Sequence, residues 1–257
     1  MCLINFQRKT HSNYKLIVVA NRDEFYKRPT APAHFWKDHP QLLAGRDLLQ
    51  MGTWLGITKQ GRFAALTNFR DPAHMESGKN SRGAIVTDYL TQNVSPGEYL
   101  NQLRNNKTDY TGFNVIVGNS GELFHYNNVR NKITKITAGI HGLSNDTLNT
   151  PWPKVTKGKK LLREYVLQTE DLQINELFKI NSDTTQATEE DLPQTGVGLS
   201  LERQLSPLFI NTPEYGTRSS TVLLIDKGNN VTFVERTYHR GEFSEEKRFS
   251  FQIGNES

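Results

Sequence analysis

Two short apolar runs, Leu3 to Phe6 and Lys15 to Ala20, stand on either side of a polar turn at His11-Ser12-Asn13. Each is too short for a helix and rich in Leu, Ile, Val or Phe, so the pair reads as a β-hairpin. A hairpin constrains the chain strongly, because its register returns the end of the second run to the start of the first. That start is Cys2, the only cysteine among 257 residues, directly behind Met1. The end is Asn21-Arg22-Asp23-Glu24, four polar or charged residues that follow Val18-Val19-Ala20 without a break. Side chains alternate across a strand, so Asn21 and Asp23 share one face while Arg22 and Glu24 share the other. Either Asn21 and Asp23, or alternatively Arg22, are thereby brought towards Cys2.

Cys2 itself has two readings. As a free thiol it packs as a small hydrophobe and begins a buried strand. If Met1 is removed, which aminopeptidases permit ahead of a small residue, Cys2 carries a free α-amine and a thiol together. The amine, with a pKa of roughly 8, can then take the thiol proton, and the thiolate can attack a carbonyl carbon. A carboxylate beside it would hold the amine, and an arginine would favour the thiolate. The plain alternative for the tetrapeptide is a surface turn with an ion pair between Arg22 and Glu24.

Further strands are expected at Leu42 to Ala44, Thr53 to Thr58 and Phe63 to Asn68, punctuated by Gly52, Gly56 and Gly61. Ser81 can cap a helix through Ile85 and Leu90. Ser95-Pro96-Gly97-Glu98 combines a capping serine, a proline at the first position and a glutamate three residues on. Strands return at Phe113 to Gly118, Glu122 to Tyr126 and Ile133 to Ile136. Helices are expected from Thr150-Pro151-Trp152-Pro153 through Val166, near Asp171 to Ile180, and over Leu199 to Leu205. Asn181 to Gly198 reads as a loop, Thr221 to Asp226 and Val231 to Arg236 as a hairpin, and Gly254 to Ser257 as a frayed tail. Strands flank a helical middle with no internal repeat and no long linker. That pattern gives one α+β domain over residues 1–257 with mainly antiparallel pairing.

Three islands repeat the pattern of an apolar strand ending in polar groups: Ala64 to Asp71, Gly139 to Asn145, and Tyr215 into Thr221. Amides such as Asn68 and Asn145 can donate to a developing oxyanion. The plain reading of each is a turn residue bonded to its own backbone. Thirty-one basic and twenty-seven acidic residues leave a charge of +4, and the densest basic run, Lys157 to Lys160 with Arg163, alternates with Leu161, Leu162 and Val166. That run is a helix with a solvated face, and no zinc-finger or ribonucleoprotein pattern points to nucleic acid. A single cysteine excludes an intrachain disulfide and CxxC metal chemistry. The histidines, at 11, 34, 39, 74, 125, 141 and 239, show neither HxH nor HExxH spacing, so no metal is expected. No run of about 18 apolar residues predicts a membrane span. The opening segment is too short and too polar after Phe6 for a secretory signal, and a cytoplasmic, reducing location is expected.

The opening Met1-Cys2, Asn21-Arg22-Asp23-Glu24, Gly52-Thr53-Trp54-Leu55-Gly56 and Thr67-Asn68 are similar to motifs of the NRDE family, also called the transport and Golgi organisation protein 2 family. So are Gly142-Leu143-Ser144-Asn145, Thr150-Pro151-Trp152-Pro153-Lys154 and Tyr215-Gly216-Thr217-Arg218-Ser219-Ser220-Thr221. That family resembles the N-terminal-nucleophile hydrolases, which implies a four-layer αββα sandwich with two mainly antiparallel sheets between helices. Within that fold it resembles the bile-salt hydrolase and penicillin V acylase group, whose members cleave non-peptide amides from an N-terminal cysteine.

In that group the strand after the nucleophile ends in an Arg-Asn-x-Asp pattern. Laying Ala20-Asn21-Arg22-Asp23 on it puts Asp23 on the aspartate that holds the α-amine and Asn21 on the asparagine. The arginine position holds Ala20, so the positive charge falls to Arg22 or Arg218. Asn145 is similar in placement to the oxyanion-hole asparagine, Arg218 to a late arginine, and Asn68 to a second oxyanion or substrate contact. The resemblance thus implies hydrolysis of a small or lipid-like amide without a cofactor. Cys2, Asp23, Asn21, Arg22, Asn145 and Arg218 would carry the chemistry, with Asn68, Trp54 and His141 at the substrate. The family's association with lipid, acyl-CoA and haem handling implies a different class of function, a non-catalytic carrier. Covalent haem is excluded by the lack of CxxCH, leaving His141 or Cys2 as an axial ligand.

Overall fold

The structure is a computed structural model that describes residues 2–72 and 79–254. Met1 and its removal, His74, and residues 255–257 of the expected frayed tail lie outside the described residues.

The hairpin forms in the expected register. Strands β1 (Cys2–Arg8) and β2 (Tyr14–Phe25) pair antiparallel with Cys2 opposite Arg22 and Arg8 opposite Leu16. β2 does not stop at Ala20 but runs on through the polar tetrapeptide. Ile4, Phe6, Leu16, Val18 and Ala20 belong to one apolar core, whereas Ile17 and Val19 belong to another. A strand that is apolar on both faces needs a packed layer on each side.

Those layers are a second sheet and a pair of helices. β1 and β2 lie in a six-stranded sheet with β10 (Gly139–Leu143), β11 (Tyr215–Asp226), β12 (Asn230–His239) and β13 (Glu242–Gln252), in the order β10-β1-β2-β11-β12-β13. The facing sheet has seven strands in sequential order: β3 (Thr30–Phe35), β4 (Leu42–Asp47), β5 (Leu55–Thr58), β6 (Phe63–Asn68), β7 (Phe113–Gly118), β8 (Leu123–Asn127) and β9 (Lys132–Lys135). Every pairing between these strands is antiparallel.

Phe6, Val18, Leu43, Ile57, Phe63, Ile116, Leu223 and Phe233 fill the space between the sheets. Helices α1 (Arg82–Thr91) and α2 (Pro96–Asn105) bury Ile85, Tyr89 and Leu100 against Leu66, Val115 and Val117 of the seven-stranded sheet. Helices α3 (Pro153–Gln168) and α4 (Ile174–Ile180) bury Leu162, Val166, Leu177 and Phe178 against Ile17, Val19, Val222 and Leu224 of the other. The result is a four-layer αββα sandwich. Each fully buried aliphatic side chain contributes about 1.5–3 kcal/mol, so these three cores dominate the stability over any surface ion pair.

Local chemistry explains the helix starts only in part. Ser95 accepts from the Glu98 amide at 3.2 Å as its pattern predicts, but Ser81 makes no side-chain cap to α1. α3 approaches β1 so closely at Gly158 that a Cβ there would lie 2.2 Å from Asn5 Nδ2.

Two strands escape sequence reading. β3 contains Pro32, and its register breaks between Ala31 and His34; an edge position tolerates both. β13, whose central Ser-Glu-Glu-Lys-Arg is almost wholly charged, is the opposite sheet's edge, where charge blocks further strand pairing. The helix expected near Asp171 begins only at Ile174, and α5 (Leu199–Gln204) follows the loop as expected.

Candidate active site

The ends of β1 and β2 divide the candidate residues between the two faces of one sheet. Residues paired across an antiparallel ladder point to the same face, so the thiol of Cys2 and the guanidinium of Arg22 both turn towards the facing sheet. Asn21 and Asp23 continue the row of Ile17 and Val19 and turn towards the helices. Of the two arrangements left open by the alternation, Arg22 shares the thiol's face.

On the inter-sheet face the thiol opens into a cleft of about 330 Å³ whose lining includes Cys2, Arg22, Asp23, Trp54, Asn68 and Arg82. Arg22 is 5% exposed; it donates to Thr30 Oγ1 at 2.8 Å and to Asp47 Oδ2 at 3.3 Å. Its guanidinium carbon lies 4.1 Å from the centroid of the Trp54 ring. The expected surface pair with Glu24 is therefore replaced by a buried pair with Asp47, which Arg28 also engages. Trp54 is seated by Gly45, where any Cβ would fall 2.4 Å from the indole. Gly52 meets Gly83 backbone to backbone, with 2.5 Å between a built Cβ and the Gly83 carbonyl carbon, and so sets α1 against the cleft. A larger hollow of about 520 Å³ around Asp38, His39 and Gln92 contains none of these residues.

Asn145 lies just beyond β10, on the other side of β1 from Arg22. The adjacent Ser144 Oγ donates to the Cys2 carbonyl at 3.2 Å. Asn145 Nδ2 donates to the Asn68 carbonyl at 2.9 Å, tying the end of β6 in the facing sheet to the end of β10 beside Cys2. Cys2, Arg22, Asp23, Trp54, Asn68 and Asn145 are thus gathered at one end of the sandwich.

Asn145 does not itself line the cleft, and the other three candidates stand apart from this group. Asn21 braces the helix side, donating to the Asn181 and Leu208 carbonyls and accepting from Ser220 Oγ at 2.7 Å. Arg218 sits in a bulge of β11 between the pairs Thr217–Asp23 and Ser219–Arg22. The extra residue swings outward and donates to the carbonyls of Phe25, Tyr26 and Arg28. His141 packs on Phe6 lower down β10, and its ring nitrogens are held by the Thr137 carbonyl and the Asn149 amide.

The helix-facing side holds a buried charge cluster. Asp23 Oδ1 accepts from Thr217 Oγ1 at 2.8 Å, and the Asp23 carbonyl accepts from Tyr215 Oη at 2.8 Å. Burial pushes the Asp23 carboxyl above its ordinary range, opposed chiefly by the Lys154 ammonium. Arg70 and Glu202, both nearly inaccessible, form an ion pair beside them. Burial also raises the Cys2 thiol; Asp23 pushes it the same way and Arg22 opposes. Lys154 was visible in the sequence only as the end of a helix-start motif. Its electrostatic influence on Asp23 joins residues more than half the chain apart in sequence. Among the described residues no three His, Cys, Asp or Glu side chains converge as metal ligands, and no helix is long and apolar enough to cross a membrane.

With this geometry in hand, comparisons with known proteins bear on both family and fold. Residues 1–240 match the model of the family described as Transport and Golgi organisation 2. The Transport and Golgi organization 2 homolog of Mus musculus is 35% identical, with 92% of this chain and 93% of the relative covered. Among solved structures, a variant of the conjugated bile acid hydrolase from Clostridium perfringens superposes with a TM-score of 0.56 at 10% identity, covering 98% of both chains. The N-acylethanolamine-hydrolyzing acid amidase ortholog of Caenorhabditis elegans superposes with a TM-score of 0.51 at 12% identity, covering 87% of this chain and 92% of that one.

Proposed function

The chain belongs to the Transport and Golgi organisation 2 family and has the N-terminal-nucleophile hydrolase fold, and from this premise we propose that it hydrolyses a small or lipid-like non-peptide amide through Cys2. One observation carries the reading: the only thiol stands at the end of β1 in a cleft, opposite Arg22, with Asp23 on the reverse face of the neighbouring strand. Two of its structural neighbours, a conjugated bile acid hydrolase and an N-acylethanolamine-hydrolyzing acid amidase, support an amide as the substrate class in this reading.

The reaction begins after Met1 has been removed. The Cys2 α-amine, held by Asp23, takes the thiol proton, and the sulfur bonds to the amide carbon. Negative charge gathers on the former carbonyl oxygen, towards which the Asn145 and Asn68 amides donate. The carbon–nitrogen bond breaks, and the α-ammonium returns its proton to the departing amine. Water, deprotonated by the same α-amine, then attacks the thioester, releasing the carboxylic acid and restoring the thiol. Arg22 stabilises the thiolate; Trp54 holds Arg22 and walls the cleft. Catalysis in this scheme uses no cofactor.

The test is turnover of a panel of N-acyl amides by protein whose first residue is Cys2, with Cys2→Ala alongside. Hydrolysis by the first and only background by the second is expected. Turnover that survives Cys2→Ala, or none in the Cys2-first protein, contradicts the reading.

A second reading has one observation in its favour: burial raises the thiol and so disfavours thiolate. A carrier of lipid, acyl-CoA or haem on the same fold needs no thiolate. With both His141 nitrogens engaged, haem ligation would fall to Cys2. Titration with haem and with a fatty acyl-CoA separates the cases. A Soret shift lost in Cys2→Ala, or acyl-CoA binding without amide turnover, supports the carrier.

A further inference from the structure

Lys154 is a buried charged group at this end of the molecule with no part in the reaction just described. It is the second residue of α3, 2% exposed, and its Nζ makes no hydrogen bond among the described residues. Both features are costly. A buried ammonium without a partner loses its hydration uncompensated, and a cation in the first turn of a helix opposes the helix dipole. The chain nonetheless fixes it there: Trp152 and Pro153 set the start of α3, and Trp152 and the following Val155 pack with Leu3 of β1.

The charged groups acting on Lys154 come from four separate elements: Asp23 on β2, Arg70 beyond β6, Cys2 on β1 and Glu202 on α5. Arg70 and Glu202 answer one another as a buried pair. The buried anion that Lys154 opposes is therefore Asp23, the same carboxylate that holds the Cys2 α-amine in the proposed reaction. Burial pushes Lys154 down to about 8, where an ordinary α-amine titrates.

We propose that Lys154 carries the proton that balances the buried Asp23 carboxylate, and thereby leaves the α-amine of Met1-free Cys2 uncharged and able to act as the base. This rests on the N-terminal-cysteine reading above. Two amines face one carboxylate where little water reaches. Two cations there repel, so protonation of one lowers the pKa of the other, and the pair titrates as a unit. With the charge on Lys154, the α-amine takes the thiol proton and later returns it to the leaving amine, so no proton is gained or lost at Lys154. Lys154 acts through Asp23 and the amine; it is a positioning residue.

The experiment measures the protonation midpoint of the α-amine directly and needs no substrate. The full chain is released from a cleavable leader so that residue 2 is first, with Cys2→Ser so that only the amine reacts, and intact mass verifies the start. Trace acetylation by acetic anhydride across pH, read on the N-terminal peptide, gives the midpoint. The expected midpoint lies below the ordinary value of roughly 8. Lys154→Met should raise it by about one unit, leaving about tenfold less neutral amine at pH 7. Lys154→Arg, which keeps the charge, should hold the midpoint low. A midpoint above the ordinary value without any substitution at 154 overturns the proposal, whether or not the Met variant folds. A Lys154→Met midpoint that stays put in folded protein overturns it too. A midpoint that moves as expected in protein that cleaves no amide leaves this electrostatic role standing and sinks the hydrolase reading instead.

Discussion

The two faces of one pair of strand ends solve opposite problems with similar residues. On the inter-sheet face, Cys2 and Arg22 border an open cleft, and the guanidinium is satisfied by Thr30, Asp47 and the Trp54 ring. On the helix face, Asp23, Lys154, Arg70 and Glu202 are enclosed, and burial shifts Asp23 up and Lys154 down. The first face presents a reactive group; the second is a closed set of charges in which each depends on the others. Substitutions on the open face should therefore cost chemistry before stability, and substitutions on the closed face should cost both.

The sharpest way to break this contrast is Glu202→Ala. It strips Arg70 of its buried partner and also removes the acceptor for the Thr195 amide at 2.9 Å. Orphaning one member of a buried pair costs about 3–5 kcal/mol, and urea denaturation should register a loss of that size. A loss under about 1 kcal/mol, the worth of a surface pair, would place the cluster in contact with water and end the distinction between the faces.

A somewhat smaller effect should come from Glu235, which lies on the inter-sheet face of β12 at the wall of a hollow shared with Trp54, Arg218 and Ser219. Its Oε1 accepts from the Ala33 amide at 2.6 Å, and burial raises its carboxyl to about 7. Between its unfolded value, near 4.5, and about 7, the folded state binds the extra proton, so stability falls as pH rises through that window. Above it the charged form carries the full penalty, about 3 kcal/mol for a shift of this size. Glu235→Gln should therefore stabilise the protein at pH 8 and leave it little changed at pH 4. Thermal melts at the two pH values check this, and equal effects at both would show that Glu235 is not held neutral.

The sequence carried the open face better than the closed one. Cys2, the hairpin and the alternation through Asn21, Arg22, Asp23 and Glu24 are local, so period-2 reasoning alone confined them to two arrangements. Strands β6 and β7 and the Ser95 cap were legible for the same reason. Asp47, Lys154 and Glu202 were not, since each acquires its partner through sheet order and helix packing over long sequence separations. Arg218 illustrates a different gap. One inserted residue in β11 re-aims it towards three backbone carbonyls, and no propensity distinguishes a bulged arginine from one in register. β13 was hidden by its own edge protection, which replaces the apolar alternation with charge.

In the proposed reaction the Cys2 thiol is activated by its own α-amine. The most direct measurement compares Cys2 alkylation by iodoacetamide across pH in two forms of the full chain, one beginning with Met1 and one with Cys2, each verified by intact mass. The Cys2-first form should react at least about tenfold faster at pH 7, with its thiol titrating below the free value of about 8.5. Equal rates in the two forms, with a thiol that stays protonated through pH 9, would contradict it.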